Sequence, residues 1–433
     1  MTTLTIPLSR IEGHARVVIN LAGERVLSAH FQATELRGFE HFVQGAPAEQ
    51  MPIIVPRICG VCSTAHHLAA VKALENLAGV TVPPKAVCIR ELMMLGQVIQ
   101  NQATSLFLFT MPDLPGQAGV PSLFHLGEVH SKIAPRALAV RRAGTQLITL
   151  AGGQFIHPVR AVVGGVSGGI APRAAAEMRA SLNQALTRAS FLVDAYWDLF
   201  EGLHDRIGTL GDDSPTYYLA AIDRGHAYYG DRLRVMAPDG SVQAAFPPCD
   251  YAEHLTDVPI EGSYSDGTLY QGELVRANSL ARLNIDPHPT TPMARAYTER
   301  FWQEWGYPAH AILLFDVARG IELVYAIERA IELLEQDLDG DDLWVGCTLR
   351  DGQGCGLIEA PRGPLIHHYE VQGGLVTSAR FVIPTQHNML AIERALLVAA
   401  RRYVSSAGIS LELERAVGRV VRAFDPCIAC ATH

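Results

Sequence analysis

Two pairs of cysteines, one near each end of the 433-residue chain, are the side chains best suited to metal chemistry. Cys59 and Cys62 form one Cys-x-x-Cys motif, and Cys427 and Cys430 form the other. An apolar periodic stretch after the first pair predicts a helix over residues 64–77, and a helix N-terminus favours the thiolate form that binds metals. Four convergent thiolates could bind zinc, copper(I), an iron-sulfur cluster, or nickel bridged to a second metal.

The separation of the two pairs bears on these alternatives. Cys62 and Cys427 are 365 residues apart (427 minus 62), far beyond the roughly 15 to 20 residues of a zinc ribbon. A structural zinc site would occupy all four thiolates and leave no position for chemistry. A thioredoxin-like site needs one pair beside a βαβ unit, and no such unit is predicted around residue 59. If the pairs bind one metal site, the two ends of the chain must meet.

Composition argues against several classes of function. The chain is 48% hydrophobic and 18% charged, with a formal net charge of −9, which predicts a large core, a large partner interface, or both. The absence of a Lys/Arg run argues against nucleic acid or an anionic membrane as a partner. Charges interrupt every apolar run before ~18 residues, so no transmembrane segment is predicted. The N-terminus lacks the apolar region of a signal peptide, which indicates a cytoplasmic protein unless a partner carries an export signal.

Hydrophobic periodicity predicts the elements that must position the cysteines. Alternating apolar residues predict β-hairpins over residues 4–33 and 365–383, and residues 214–290 are predicted to form a β-containing insertion. Further helices are predicted over residues 85–111, 135–151, 172–205, 292–305, 309–337, 388–405 and 411–423. We therefore expect an α+β fold, predominantly α, with a long central helix bundle and peripheral antiparallel β-hairpins near the N- and C-terminal thirds. Residues 1–433 are expected to form one interwoven domain.

The motifs, taken in order, resemble those of the large subunit of nickel-iron hydrogenases. The pattern R-x-C-G-x-C-x-x-x-H is present at residues 57–66, and D-P-C-x-x-C-x-x-H at residues 425–433. Supporting segments are R-I-E-G-H at 10–14, R-G-F-E at 37–40, H-P at 157–158, G-G at 164–165, E-A-P-R-G at 359–363, and P-T at 384–385 with Asn388. The likeness spans the chain from residue 10 to residue 433 and is greatest to soluble, cofactor-coupled members. In this family a C-terminal extension is removed after the last histidine, so the chain resembles the mature form.

The resemblance implies a bimetallic centre held by the four cysteines. Cys59 and Cys427 would be terminal nickel ligands, while Cys62 and Cys430 would bridge nickel to an iron that carries one CO and two cyanide ligands. His66 would hydrogen-bond to a bridging sulfur.

Other matched residues would surround that centre. Pro361 and Arg362 would lie over its open face, and Asp425 would support the arginine. Pro384 and Thr385 would lie beside the iron, where the threonine hydroxyl would donate to a cyanide.

The resemblance also gives roles to residues whose spacing alone is uninformative. A carboxylate such as Glu12 is usually solvated or caps a helix, but here it would exchange protons with a cysteine thiolate, because splitting H2 releases a proton that needs a base. Glu40, His433 and the backbone carbonyl of Phe381 would bind a magnesium ion that holds the C-terminus in place.

Some positions depart from the family pattern. Asn101 stands where well-studied members carry an aspartate paired with the active-site arginine, so Arg362 is expected to depend more on Asp425. Gln102 and Ser105 replace histidines, and Gln154 stands where a basic residue is common.

The implied function is reversible heterolytic cleavage of H2. The remaining cysteines, Cys88, Cys249, Cys347 and Cys355, are too few for a cluster chain and are expected to be ordinary buried thiols. Iron-sulfur clusters are therefore expected only on a partner small subunit, with diaphorase-type or other electron-transfer subunits beyond it. NAD(P) is favoured as acceptor over a deazaflavin or a ferredoxin. The alternatives are an H2-sensing regulatory protein with little turnover and a structural scaffold like the related respiratory-chain subunits, which have generally lost these cysteines.

Overall fold

The computed structural model describes residues 2–114, 131–202, 210–222, 225–226, 228–405 and 408–432. Its α-helices are, in chain order, α1 Phe39–Phe42, α2 Met51–Ile54, α3 Ser63–Ala78, α4 Pro84–Thr104, α5 Ile133–Gly152, α6 Pro172–Glu201, α7 Tyr251–His254, α8 Ser279–Ile285, α9 Pro292–Trp305, α10 Leu314–Leu333, α11 Gln386–Tyr403, α12 Leu411–Phe424 and α13 Ile428–Ala431. Short 3-10 turns occupy Ala48–Gln50, Val55–Ile58, Met111–Asp113 and Pro248–Asp250, and a π-helical turn occupies Ser105–Thr110.

The strands form separate small sheets around these helices. They are β1 Thr2–Pro7, β2 Ala15–Ala22, β3 Arg25–Ala33, β4 Ala161–Val162, β5 Gly165–Val166, β6 Tyr217–Ala220, β7 Leu233–Met236, β8 Val242–Phe246, β9 Leu255–Val258, β10 Gly267–Tyr270, β11 Glu273–Arg276, β12 Gly352–Ala360, β13 Gly363–Gln372 and β14 Leu375–Val382. Their orders are β1-β2-β3, β8-β7-β6-β11-β10-β9, β12-β13-β14 and β4-β5. Among these described strands, all pairings are antiparallel except the parallel pair of β6 and β11. The expected α+β, predominantly helical fold class is confirmed.

The two predicted hairpins are confirmed, and each gains a strand. The pair of β2 and β3 is joined by β1, and the pair of β13 and β14 is joined by β12. The second hairpin turns at Gly373 and Gly374, whose φ angles of 58° and 78° are both positive, as a tight two-residue turn between twisted strands requires. The predicted β-containing stretch over 214–290 contains the six-stranded sheet, which lies within residues 217–276.

Two predicted helices are shorter in the structure. The helix expected over 85–111 is α-helical only to Thr104, after which Ser105–Thr110 widens into a π-helical turn. Pro112 lies in the 3-10 turn Met111–Asp113 that follows, and the helix does not continue past this turn because proline offers no N–H and clashes with the preceding turn. The helix expected over 309–337 begins only at Leu314 and ends at Leu333, before the acidic stretch 335–342.

The central bundle is formed by α4, α5, α6 and α10, which pack against one another. α4 and α5 approach closely at Gly96 and Gly144, where a Cβ on Gly144 would lie 2.7 Å from the backbone nitrogen of Gln100. Beside the bundle, α3 lies on β12. Cβ atoms on Gly354 and Gly356 would come within 2.3 Å of the α3 backbone, so only glycine allows this approach.

The two ends of the chain meet. Glu12 and Cys427 form a parallel β-bridge, and the Arg37 N–H donates to the Thr432 carbonyl at 2.9 Å. Among the described residues, no helix combines the length and apolarity needed to cross a membrane.

The expectation for the four remaining cysteines is wrong in part. Cys249 and Cys355 form a disulfide with a Cα–Cα distance of 5.4 Å, and Cys88 and Cys347 are only half-buried. The disulfide links β12 to the 3-10 turn Pro248–Asp250, which follows β8. Because its partners are 106 residues apart, no local pattern in the sequence indicates it.

Removing this disulfide should destabilise the protein. We expect the C249S/C355S double variant to lose about 2–4 kcal/mol of unfolding free energy, because the bond closes a long loop in the unfolded chain. Urea denaturation measures the change, and C88S is the matched control. Equal midpoints for the wild type and the double variant would contradict this prediction.

Candidate metal centre

The four cysteines of the two motifs converge, as predicted. Their sulfur atoms all lie within 4.8 Å of one another, and each residue is at least 95% buried. Cys427 Sγ lies 3.4 Å from Cys59 Sγ, 3.7 Å from Cys62 Sγ and 3.0 Å from Cys430 Sγ. The structure therefore brings thiols from opposite ends of the chain to one point.

Local backbone structure places each pair at the start of a helix. Cys59 is extended after a 3-10 turn, and Cys62 is the N-cap of α3. Cys427 is the N-cap of the short helix α13, which contains Cys430. The predicted helix after the first pair is confirmed as Ser63–Ala78.

The electrostatics of the cluster favour a bound soft cation. Hydrogen bonds with Cys427 and Cys430 lower the pKa of Cys59 and Cys62, whereas burial raises the pKa of Cys427 and Cys430 well above the usual value. Several thiolates in a dry site repel one another unless a cation compensates them. A thiophilic transition metal fits this set of four donors.

Arg362 lies against the cluster and is held by Asp425. Its Nη1 donates to Cys62 Sγ at 3.3 Å, its Nε to the Asp425 carbonyl at 2.6 Å, and its Nη2 to the Asp425 carboxylate at 3.2 Å. Asp425 adopts a left-handed conformation, with φ of 48°, which is uncommon outside glycine. Arg362 therefore makes the contact with Asp425 that the sequence predicted.

Asn101 completes the surroundings of Asp425. Its Nδ2 donates to Asp425 Oδ2 at 3.0 Å. An aspartate here would place a second negative charge beside Asp425, whereas the amide supplies a hydrogen bond instead. The neighbouring Gln102 donates to Glu322 at 2.6 Å, so these two departures from the family pattern have partners in the core.

Sequence reasoning missed a buried charge network behind Arg362. Arg282 pairs with Glu322 at 2.5 Å and with Glu359 at 2.6 Å. Its Nη2 also donates to the Pro361 carbonyl at 2.8 Å, directly before Arg362. Glu322 lies in α10 between the apolar residues Ile321 and Leu323, and such a charge within a buried stretch is the signal that could have indicated the network.

Glu12 reaches the cluster from the N-terminal side. Its Oε2 lies 3.1 Å from Cys427 Sγ and accepts the Ala429 N–H at 3.0 Å. Burial, followed by the charge of Cys59, raises the pKa of Glu12 above its ordinary value. The carboxylate is therefore placed to exchange a proton with a ligand sulfur.

His66 approaches the cluster from α3. Its Nε2 lies 3.5 Å from Cys430 Sγ, and its Nδ1 lies 3.0 Å from His367 Nε2. His367 Nδ1 in turn lies 2.7 Å from the Tyr369 hydroxyl. Neither His367 nor Tyr369 belongs to a motif that the sequence singled out.

A small cavity adjoins the sulfurs where the iron and its ligands are expected. Its lining combines cluster residues with apolar and polar side chains: Cys62, His66, Ala360, Arg362, Leu365, Ile383, Pro384, Thr385, Cys427 and Cys430. The Thr385 hydroxyl accepts the Cys427 N–H at 3.0 Å, which leaves its hydrogen able to point into the cavity. Pro361 lies between two lining residues, with its carbonyl directed to Arg282.

The predicted magnesium site is described only in part. Glu40 accepts the Phe381 N–H at 2.8 Å and pairs with Arg380 at 3.3 Å. This brings two of the predicted contributors together. The third, His433, lies outside the described residues.

Comparison with known proteins gives the family. A model described as nickel-dependent hydrogenase matches residues 37–110 and 222–433, and a model described as HoxL-like matches residues 3–36. The chain belongs to the nickel-dependent hydrogenase family. It is a large-subunit member, as its cysteine motifs predicted.

The names of relatives of this hydrogenase chain differ in what they say about the electron acceptor. A chain of the vhu F420-non-reducing hydrogenase of Methanocaldococcus jannaschii is 36% identical over 408 residues, covering 91% of this chain and 97% of that protein. The beta chain of the NAD-reducing hydrogenase HoxS of Cupriavidus necator is 32% identical over 463 residues, covering 99% and 93%.

Solved structures agree in fold over the whole chain. An NAD+-reducing [NiFe]-hydrogenase in the H2-reduced state matches with a TM-score of 0.93 and 32% identity, covering 100% of both chains. The Ni-Fe-Se hydrogenase from D. vulgaris Hildenborough, at 22% identity and a TM-score of 0.83, shares the fold.

Neutralising Glu322 should reveal the contribution of the buried network. Burial would raise the pKa of Glu322, but Arg282 lowers it from 4.5 to about 2. The stabilisation of the fold by the Glu322–Arg282 ion pair is therefore complete above pH ~4.5 and disappears as the pH falls toward 2. We expect Glu322→Gln to lower the unfolding free energy by about 3 kcal/mol at pH 7, and the difference to shrink in acid.

Denaturation curves at several pH values measure this effect. Glu335→Gln is the control, because it removes an exposed pair with Arg179 and should cost less than ~1 kcal/mol. A Glu322→Gln effect that stays constant down to pH 2 would show that the charge of Glu322 contributes nothing.

Proposed function

We propose that the chain is the catalytic large subunit of a nickel-iron hydrogenase that reversibly splits H2 into protons and electrons. The observation that carries this proposal is the meeting of four buried thiols from opposite ends of the chain, with sulfurs within 4.8 Å of one another. A nickel-iron centre bound there would supply the polarisation of H2 and the redox change.

We assign the four sulfurs by their motif positions. Cys59 and Cys427 would be terminal nickel ligands, and Cys62 and Cys430 would bridge nickel to iron. The cavity beside the bridging pair supports an iron with one CO and two cyanides, because Thr385 and Arg362 offer donors there while the rest of the lining is largely apolar.

Two charged side chains would act directly at this centre. Glu12 would take a proton from the Cys427 sulfur, 3.1 Å away, and pass it outward, and its raised pKa suits a group that must bind and release protons. Arg362 would place a fixed positive charge on the open side, held by Asp425. A magnesium ion on Glu40, His433 and the Phe381 carbonyl would secure the C-terminus.

We propose that electrons leave through iron-sulfur clusters of a small subunit. Outside the metal site this chain has Cys88, Cys347 and the disulfide pair Cys249–Cys355, which cannot ligate a cluster chain. The match to an NAD+-reducing hydrogenase supports NAD(P) as the acceptor, reached through diaphorase-type subunits in the cytoplasm. The name of the F420-non-reducing relatives excludes F420 for those proteins and gives no acceptor, so a different acceptor is the competing assignment.

Metal analysis and infrared spectroscopy of the purified complex test this function. We expect about one nickel and one iron in the large subunit, infrared bands of bound CO and cyanide, and reduction of NAD(P) under H2. Zinc as the sole stoichiometric metal would refute the nickel-iron assignment. Metal and bands with little turnover would instead indicate the H2-sensing alternative, and reduction of only other acceptors would correct the acceptor.

Removing the carboxylate of Glu12 should slow proton transfer without emptying the site. We expect Glu12→Gln to lower H/D exchange by at least about 100-fold while nickel content is kept, because the amide can still accept the Ala429 N–H. Mass spectrometry of the hydrogen isotopologues measures the exchange. The control is Glu24→Gln at an exposed turn. Exchange at the wild-type rate in Glu12→Gln would mean that protons use another route.

A further inference from the structure

Three buried side chains form a hydrogen-bonded chain behind Cys430. His66, His367 and Tyr369 are each fully buried, and the contacts run from Cys430 Sγ to His66 at 3.5 Å, to His367 at 3.0 Å and to Tyr369 at 2.7 Å. His367 and Tyr369 are two residues apart in β13, so they project from the same face of the strand. That face is the one packed toward α3.

The contact between His66 and the Cys430 sulfur fixes the direction of the hydrogen bonds among these side chains. A thiolate that bridges two metals can only accept, so a favourable contact requires the hydrogen on His66 Nε2. In a neutral imidazole the other nitrogen is then an acceptor, and His66 Nδ1 must accept from His367 Nε2. By the same rule His367 Nδ1 must accept from the Tyr369 hydroxyl.

The tyrosine end gives the same direction independently. Burial raises the pKa of Tyr369 well above its usual value, so the hydroxyl keeps its hydrogen. Among the described residues, this hydroxyl has His367 as its hydrogen-bond partner, and a buried O–H needs an acceptor. The reverse direction would leave that hydrogen unsatisfied and would also turn a nitrogen lone pair toward the thiolate.

We propose that His367 and Tyr369 are positioning residues that hold His66 in the tautomer whose Nε2–H points at Cys430. The inference rests on the proposed function, since it takes Cys430 as a metal-bridging thiolate. The hydrogen bond withdraws electron density from the sulfur. The Tyr369 hydroxyl, two side chains away, thereby adjusts the electron density that the bridge gives to the metals.

Three variants of the complete hydrogenase complex test this role. Tyr369→Phe removes only the terminal donor, and His367→Leu removes the relay. His367→Gln keeps an N–H for His66 and a carbonyl for the tyrosine, so it should keep the direction of the hydrogen bonds. Tyr218→Phe is the matched control, because Tyr218 is equally buried in β6 and its hydroxyl contacts His310 Nδ1 at 2.9 Å.

The infrared CO band is the decisive readout, because a purely structural role would not shift it. We expect Tyr369→Phe and His367→Leu to move the band to lower wavenumber with nickel retained, and to lower H2 turnover about 10-fold or more. His367→Gln and Tyr218→Phe should keep the wild-type band.

The outcomes separate this inference from the function on which it rests. A wild-type complex without CO and cyanide bands defeats the proposed function. A normal wild-type spectrum with unchanged bands in both Tyr369→Phe and His367→Leu overturns the tautomer assignment alone. If Tyr369→Phe does not bind nickel, the comparison of His367→Gln with His367→Leu tests the assignment instead. Equal failure of these two variants to bind nickel overturns the assignment, because the residues then serve only packing.

Discussion

The structure depends on one electrostatic constraint, which is that four thiols occupy a site from which water is excluded. In such a site, thiolates are tolerable only when a cation compensates their charge. The burial that makes the cluster costly without a metal also makes its metal binding strong and its chemistry controllable. Helix N-termini at Cys62 and Cys427 and the guanidinium of Arg362 add further positive potential.

Each group that touches the cluster is held by another buried polar group. Arg362 is held by Asp425, and Asp425 by Asn101. Arg282 fixes the carbonyl before Arg362 while pairing with two glutamates. Because a partly satisfied buried network is unstable, these hydrogen bonds and ion pairs restrict the positions of the site residues more than packing alone would.

The C-terminus is the last part of the site in sequence and is bound from several sides. The Cys427 N–H donates to Thr385, the Ile428 N–H to the Glu12 carbonyl, and the Arg37 N–H to the Thr432 carbonyl. These contacts come from the N-terminal segment and from the stretch after β14. The convergence of the two cysteine pairs therefore depends on the packing of distant elements, so formation of the metal site and formation of the fold are coupled.

The chemistry of the four thiols, the helix after Cys62, the two hairpins and the family could be predicted from the amino-acid sequence, because these depend on residue type and short-range spacing. The proposed role of Glu12 required the family resemblance, since spacing alone gives a carboxylate no function. Which buried groups face one another could be seen only in the folded chain. The Arg282 network, the His367–Tyr369 chain and the Cys249–Cys355 disulfide join residues far apart along the chain or residues with no distinctive motif. The π-helical turn at Ser105–Thr110 was equally invisible, because it depends on how the end of α4 packs and not on apolar periodicity.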